Sequence, residues 1–230
     1  MAKPSRQVVV VVCMLFAAAA SYRLMAARYE RGATEAGFWF EPVAYASSRL
    51  PGAVTTGDMQ IIESVARSEL SRAFGGLPIR FSGRRDSRYR IRVVQDLRDM
   101  RLRRYVGVAG ESRAISGIGG VGAVSFFYLA SGAVAYAPED ADRASMIEAI
   151  GRGIGRTAVH EFTHQFLPTA PIHDSRDVRS YEYSSAARRE QYYGDMHWGI
   201  AWPLLQQRLE RRRVLPSAYG DSTAKETFQE

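Results

Sequence analysis

The pentapeptide His160–His164, read His-Glu-Phe-Thr-His, constrains the fold of this 230-residue chain more than any other feature. Residues four apart lie on the same face of an α-helix, so a helix here presents His160 and His164 to one point in space. The chain has four histidines, and all of them lie between residues 160 and 197. The pattern therefore predicts a helix that carries two imidazoles on one face, within a cluster of histidines.

The chemistry of these side chains points to a metal. Imidazole is a preferred ligand of zinc, and Glu161 lies one step around the helix from His160, where it can accept a proton from a water molecule beside the metal. The apolar neighbours Phe162 and Phe166 indicate that the histidines face an interior or a cleft. Buried imidazoles without partners would be costly. The sequence thus predicts Zn²⁺ as a cofactor.

The same pentapeptide resembles the signature of the zincin metallopeptidases. The resemblance covers the active-site helix well and the remainder of the chain only in outline. It implies an α+β fold, in which a mixed twisted sheet packs on the active-site helix and a second helix, with a helical carboxy-terminal part. It also implies hydrolysis of a peptide or protein substrate with Glu161 as the general base.

A catalytic zinc takes three protein ligands and one water, so a third ligand must be found. The metzincin pattern would need glycine at 167 and histidine at 170, and this chain has Leu167 and Ala170. His173 follows a short spacer that is similar to the aspzincin arrangement. Glu182 follows at a separation that resembles the gluzincins. We expect His173 as the third ligand, with Glu182 as the alternative and then Asp174 or Asp177.

A tyrosine or histidine often stabilises the tetrahedral oxyanion in zincins. The candidates for that role crowd one segment near the carboxy terminus: Tyr181, Tyr183, Tyr192, Tyr193 and His197. The alternative interpretation of each is ordinary aromatic packing.

Hydrophobic periodicity and turn residues predict the other elements. A first helix is capped near Thr56–Asp58, and the predicted helix with the metal ligands begins at Asp140 or Asp142 and ends at Pro168. Val124–Leu129 is the candidate for an edge strand that pairs with extended substrate. The remaining predictions are strands at Pro78–Ser82 and Tyr89–Gln95, a glycine-rich loop at Gly107–Gly122, a hairpin formed by Val124–Leu129 with Ala133–Ala137, and helices at Ser180–Tyr193 and Ile200–Arg212.

The amino terminus has the order of a secretory signal. Basic residues precede the apolar run Val8–Ala20, and small residues before Ser21 offer a cleavage site. The run is shorter than the roughly 20 residues of a membrane span, so we expect export to the periplasm, cell envelope or exterior, with an uncleaved membrane anchor as the alternative. The predicted organisation is a signal or anchor at 1–27, a linker at 28–40, one catalytic domain at 41–215 and a flexible tail at 216–230.

The charge of the chain bears on whether it binds nucleic acid or another polyanion. The net charge is +7, with 29 arginines and 2 lysines dispersed along the chain. No zinc-finger, RNA-binding or helix-turn-helix pattern accompanies them, so no nucleic-acid partner is expected. Two alternatives to a peptidase remain: a catalytically silent zinc-binding envelope protein, and a basic envelope module that binds polyanions.

Overall fold

The structure is a computed structural model that describes residues 32–99, 104–105, 109–115, 119–170, 172–173 and 175–214. The predicted signal or anchor at 1–27 and the tail at 216–230 lie outside these residues. Within the described part of the chain, no helix has the length and apolar character needed to cross a membrane.

A five-stranded mixed sheet forms the centre of the fold. Its order is β2-β1-β3-β7-β6, in which the first four strands run parallel and β6 pairs with β7 in the antiparallel direction. A separate antiparallel pair is formed by β4 and β5. The strands are β1 (Thr34–Phe40), β2 (Ile79–Ser82), β3 (Tyr89–Val94), β4 (Arg98–Asp99), β5 (Arg104–Tyr105), β6 (Gly110–Ile115) and β7 (Gly119–Ser125).

Helices pack on this sheet around a single large core. The longest helix, α3, contacts β3, β6 and β7, and α1 packs along α3. Close approach of these two helices depends on glycines: a Cβ on Gly151 would lie 2.8 Å from Val65, and one on Gly155 would lie 2.7 Å from the Ala66 carbonyl oxygen. The helices are α1 (Thr56–Ala73), α2 (Phe126–Ala135), α3 (Arg143–Phe166) and α4 (Ala201–Val214).

Several predictions from local pattern are confirmed. The fold is α+β with a mixed sheet, and β2, β3 and α4 lie within one or two residues of their predicted bounds. Helix α1 begins at a capping box, in which Thr55 and Asp58 exchange backbone and side-chain hydrogen bonds of 2.7 and 3.1 Å. Asp142 caps α3 by accepting a hydrogen bond from the Ser145 amide at 2.8 Å. Local cap chemistry therefore set the helix starts correctly.

The glycine-rich segment was predicted wrongly as a loop. Its described residues belong to the antiparallel pair β6 and β7. Glycines occur in these strands because the sheet passes so close to α3 that a side chain would not fit at those positions. A Cβ on Gly120 would overlap the Gln165 side chain, and one on Gly110 would lie 2.9 Å from the Glu161 carboxylate. Glycine is here a requirement of packing rather than a sign of a loop.

The predicted hairpin after it is also wrong. Ser125 ends β7 and caps α2, with its hydroxyl oxygen accepting a hydrogen bond from the Tyr128 amide at 3.2 Å. The aromatic residues that suggested a strand therefore lie on a helix. The edge of the sheet beside α3 is β6, not Val124–Leu129.

Two further boundaries need correction. The second half of the predicted linker, Thr34–Phe40, is strand β1, which lies inside the sheet between β2 and β3. The predicted helix Ser180–Tyr193 is irregular apart from one 3₁₀ turn at Arg189–Gln191. Its backbone groups bond instead to buried side chains and to carbonyl groups that are distant along the chain.

Candidate metal centre

Three histidine side chains converge at the carboxy-terminal end of α3. The Nε2 atoms of His160 and His164 are 3.2 Å apart, and the Nε2 atom of His173 lies 3.0 and 2.9 Å from them. These three residues are close enough to hold one metal ion. Nitrogen ligands about 2.1 Å from a tetrahedral zinc are separated by roughly 3.4 Å, so the triad is only slightly tighter than a loaded site.

The hydrogen-bond chemistry of the triad also fits a cation. His160 Nδ1 lies 2.8 Å from the carbonyl oxygen of Tyr181, so it carries the proton and leaves Nε2 as a bare acceptor. A protonated Nε2 has no lone pair with which to accept, so three Nε2 atoms that face one another cannot satisfy each other by hydrogen bonds. A metal ion between them would occupy all three lone pairs.

Burial keeps two of these rings in the form that binds metal. Burial lowers the pKa of His160 to about 4, with further lowering from the neighbouring His164 and His173. Burial likewise lowers the pKa of His164 to about 4. Both rings are therefore neutral at pH 7, as a metal ligand must be.

Helix α3 is fixed to the sheet by polar contacts beside the triad. Gln165 bonds to both backbone groups of Arg90 on β3, at 3.2 Å each. On the other side, the Ser112 hydroxyl of β6 donates to the Glu161 carbonyl oxygen at 3.1 Å. The edge strand and the helix that carries the ligands are thus held at a fixed separation.

Glu161 lies beside the triad and is itself buried. Its carboxylate faces the same cavity as the histidines, next to the β6 residues Gly110 and Glu111. Burial, together with the smaller effect of the nearby charge of Glu111, raises the pKa of Glu161 to about 8. The predicted base thus has the position next to the ligands that its role requires.

His173 reaches the triad from an irregular segment that follows α3. Its neighbour Ile172 is 2 % exposed and belongs to the main core, which anchors this turn of the chain under the helix. Asp174 lies outside the described residues. Asp177 pairs instead with His197 at 2.8 Å on the surface and does not join the triad.

Glu182, the alternative third ligand, has a different position. Its carboxylate is 1 % exposed and accepts hydrogen bonds from the Ser180 hydroxyl and the Gly199 amide, both at 2.7 Å, and from the amide of Ala201. Both oxygen atoms are therefore used to cap the start of α4. The structure brings His173, and not Glu182, to the histidine pair.

The five aromatic candidates for oxyanion contact separate clearly. Tyr181 and Tyr183 line the cavity beside the triad. Tyr192 is buried against the glycines of α2 and α3, Tyr193 donates to the Ala133 carbonyl oxygen at 2.8 Å, and His197 is paired with Asp177. Of the first two, Tyr181 is buried with its ring against Trp198, whereas Tyr183 is half-buried at the cavity and is the better placed to contact a ligand.

The cavity that contains the triad and Glu161 has a volume of about 460 Å³. One wall is α3, the opposite wall is the segment 181–191, and β6 forms a third side. Sequence reasoning missed two of its contributors, β6 and Arg188. The alternation of polar and small residues in Gly110–Ile115 is a weak strand signal, whereas nothing local distinguishes Arg188 from its exposed neighbour Arg189.

Comparison with known proteins adds no family assignment. No model of a known protein family matches the chain, and no curated protein matches it either. What the chain does must therefore be argued from its own three histidines, Glu161 and the cavity around them.

Proposed function

We propose that the protein is a zinc-dependent peptide-bond hydrolase with a zincin-like catalytic domain. The observation that carries the proposal is the convergence of three histidine Nε2 atoms within 3.2 Å, beside a buried glutamate in a cavity of about 460 Å³. His160, His164 and His173 would hold the metal. A mostly parallel sheet with an antiparallel edge strand over the ligand-bearing helix also supports a zincin-like arrangement.

A bound zinc ion supplies Lewis acidity, which a peptide carbonyl and an attacking water both need. Glu161 accepts the proton of the attacking water and then transfers it to the leaving amine. The carboxylate must be ionised to do so, and the positive charge of a metal at the adjacent histidines opposes the effect of burial on its pKa. The Tyr181 carbonyl keeps the His160 ring in the correct tautomer.

Strand β6 gives the substrate a place to bind. Gly110, Glu111 and Ser112 line the cavity, and β6 is the edge of the sheet. An extended peptide can therefore pair with its backbone and lie across the histidines. Small residues at this edge allow the backbone of a substrate to approach closely.

The same observations favour an enzyme over the alternatives. A structural zinc site is closed by four protein ligands, whereas this triad opens onto a cavity with a buried carboxylate. A basic module that binds polyanions needs neither the triad nor Glu161. From the amino-terminal sequence we also propose that the protein is exported, with Val8–Ala20 as its signal or anchor.

The test is metal analysis of the purified full chain, combined with a peptide-library assay of the wild type and Glu161→Gln. We expect about one zinc per chain in both proteins, because the amide keeps the shape of the side chain. We expect hydrolysis only in the wild type, because an amide cannot accept the proton. Restoration of activity by zinc after chelation completes the assay.

Two results would contradict the proposal. A folded protein that neither contains nor takes up zinc would remove the metal from the argument. Equal cleavage by wild type and Glu161→Gln would show that Glu161 is not the base. Zinc loss in the variant would instead make Glu161 a ligand.

A further inference from the structure

Arg188 is a buried cation in the wall of the metal cavity. It is 7 % exposed and lines the cavity together with the triad, Tyr181 and Tyr183. Its Nη2 atom donates to the Ser180 carbonyl oxygen at 3.1 Å and to Gln191 Oε1 at 3.2 Å. Within the part of the chain that the structure describes, its Nε and Nη1 atoms have no hydrogen-bond partner. The contacts that hold this guanidinium are therefore neutral.

A second arginine that lines the cavity, Arg156 on α3, shows the contacts of an arginine with a structural role. Arg156 contacts the carboxylate of Glu69 at 3.3 and 3.4 Å and donates to the carbonyl oxygens of Glu190 and Gly194 at 2.6 and 2.7 Å. All three of its nitrogens thus have partners, and one of these is anionic. Arg188 differs in having two nitrogens without partners and no carboxylate in contact.

A buried guanidinium with two nitrogens that lack hydrogen-bond partners, as in Arg188, is energetically unfavourable. Burial lowers the pKa of Arg188 to about 10, opposed in part by the charge of Glu190, so the side chain is still cationic at neutral pH. A protein tolerates such a group where a ligand of opposite charge completes its hydrogen bonds. The single positive charge of the Arg188 guanidinium is matched by the single negative charge of one carboxylate.

Tyr183 lies against the guanidinium. Its ring lies over Arg188, with the guanidinium carbon 4.7 Å from the ring centroid, and the unpartnered nitrogens are shielded from water in this arrangement. Tyr183 is half-buried and lies in the irregular wall, where rotation of its side chain does not disturb a helix or strand. A ligand that approached Arg188 from the side of this ring would have to displace it.

We propose that Arg188 binds a carboxylate of the substrate, so that the enzyme selects peptides with a carboxylate near the bond to be cleaved. The inference rests on the proposed peptidase function and names its substrate class. The carboxylate has two possible sources, the carboxy terminus of the peptide or an aspartate or glutamate side chain. Matched peptides distinguish them.

The first arm of the experiment measures kcat/KM of the zinc-loaded protein. Each peptide is supplied with a free and an amidated carboxy terminus, and each internal Glu is exchanged for Gln. Charge-assisted hydrogen bonds predict about 10–100-fold faster turnover of the form that carries the decisive carboxylate. In Arg188→Met this ratio should fall towards one. Arg189→Met removes an exposed arginine from the next position and should keep the ratio of the wild type.

The second arm measures binding without catalysis. The zinc-free protein is titrated calorimetrically with N-acetyl-Ala-Ala, N-acetyl-Glu-amide and N-acetyl-Ala-Ala-amide. We expect N-acetyl-Ala-Ala-amide, which has no carboxylate, to bind at least 10-fold more weakly than one of the two compounds that have one. This difference should vanish in Arg188→Met. If no peptide is hydrolysed but this difference is found, the peptidase proposal fails and the role of Arg188 as an anion site stands.

Hydrolysis with no preference for any carboxylate would overturn the inference and leave the peptidase proposal intact. A preference that persists in Arg188→Met would overturn it as well. Thermal melting checks that Arg188→Met is folded. If it is not, Arg188→Lys retains the charge on a single donor nitrogen, and an acid-to-amide ratio between one and that of the wild type is expected. If neither variant folds, the acid-to-amide ratios of the wild type decide the matter.

Discussion

The two facing walls of the metal cavity are built by different means. Helix α3 repeats the same backbone hydrogen bonds along its length and buries an almost continuous run of side chains from Ala158 to Phe166. The irregular wall, which we extend from the cavity-lining segment 181–191 to the whole of 172–199, has one short 3₁₀ turn among its described residues. It is held by buried polar side chains, above all Glu182 and Arg188. Contacts with two helices link it to the framework: Arg156 of α3 donates to the carbonyl oxygens of Glu190 and Gly194, and Trp198 donates to the Ala73 carbonyl oxygen of α1 at 2.7 Å.

This difference has energetic consequences. In a regular helix the backbone bonds do not depend on particular side chains, so a change to a polar side chain on its exposed face costs little. In the irregular wall each buried polar group satisfies several backbone groups, and its loss leaves all of them without partners. We therefore expect the loss of one histidine from either wall to weaken metal binding to a similar extent, whereas the free energy of unfolding should depend much more on the polar side chains of the irregular wall.

The largest expected effect is on zinc affinity, and it tests whether single ligands from the two walls contribute equally. His160→Ala removes a ligand from the helical wall, and His173→Ala removes one from the irregular wall. Each should weaken zinc affinity by much more than the roughly 10–100-fold that is typical of residues supporting a ligand. Competition with a chromophoric chelator measures the affinity. A His173→Ala protein that holds zinc as well as the wild type would show that the third ligand lies elsewhere.

Glu182→Gln tests the sensitivity of the irregular wall. The amide nitrogen would face a donor where an oxygen now accepts, so we expect the free energy of unfolding to fall by about 3 kcal/mol or more. Glu148→Gln is the matched control on α3, where the carboxylate pairs with Arg152 at the surface and should contribute less than about 1 kcal/mol. Urea denaturation compares them, and equal losses would contradict the distinction between the walls.

Gly110→Ala tests the spacing between α3 and the edge strand. A methyl group there would lie 2.8 Å from Thr157 and 2.9 Å from the Glu161 carboxylate, so either these side chains or β6 must shift. Overpacking of this kind costs about 1–3 kcal/mol and should also reduce peptide turnover. Gly83→Ala, where a methyl group meets open space, is the control and should change stability by less than about 0.5 kcal/mol. A Gly110→Ala protein with unchanged unfolding curves would refute the close approach.

The smallest effect is expected in the regular framework, at the start of α1. Arg143 contacts Asp58 at 2.7 Å, and this hydrogen bond, with those from the Thr55 backbone, holds the pKa of Asp58 well below its usual range. Asp58→Asn should cost about 1 kcal/mol at pH 7 and leave zinc affinity unchanged. A depressed carboxyl pKa stabilises the fold above the unfolded value of about 4, so the difference between wild type and variant should shrink as pH falls below it. A difference that grows in acid would contradict this.

The comparison of walls also explains which predictions from sequence succeeded. Helix α3 and its cap at Asp142 follow from residues no more than four apart, and so does the shared face of His160 and His164. The segment after it was predicted wrongly as a helix because its tyrosines, alanines and arginines fit helical spacing. Its real conformation depends on Glu182 reaching Gly199 and Ala201, which are 17 and 19 residues away.

The prediction of a loop at the glycines of β6 and β7 was wrong for a related reason. Read alone, glycine disfavours a strand, and a strand prediction at Gly119–Ser125 had no local support. The reason for glycine there is the side chain of Gln165 on a helix 45 residues later, which leaves no room for a Cβ on Gly120. That contact exists only once the helix is packed on the sheet.

The sequence by itself determined the helix, the pair of histidines on one face and the glutamate between them, because helical geometry is fixed by near neighbours. It narrowed the third ligand to His173, Glu182 or an aspartate but could not decide among them. Tertiary structure brings His173, and not Glu182, to the histidine pair, because the burial of Ile172 holds His173 under the helix while the Glu182 carboxylate bonds at the start of α4. Tertiary structure alone also brought β6 and Arg188 to the cavity, since both positions depend on contacts between segments that are distant along the chain.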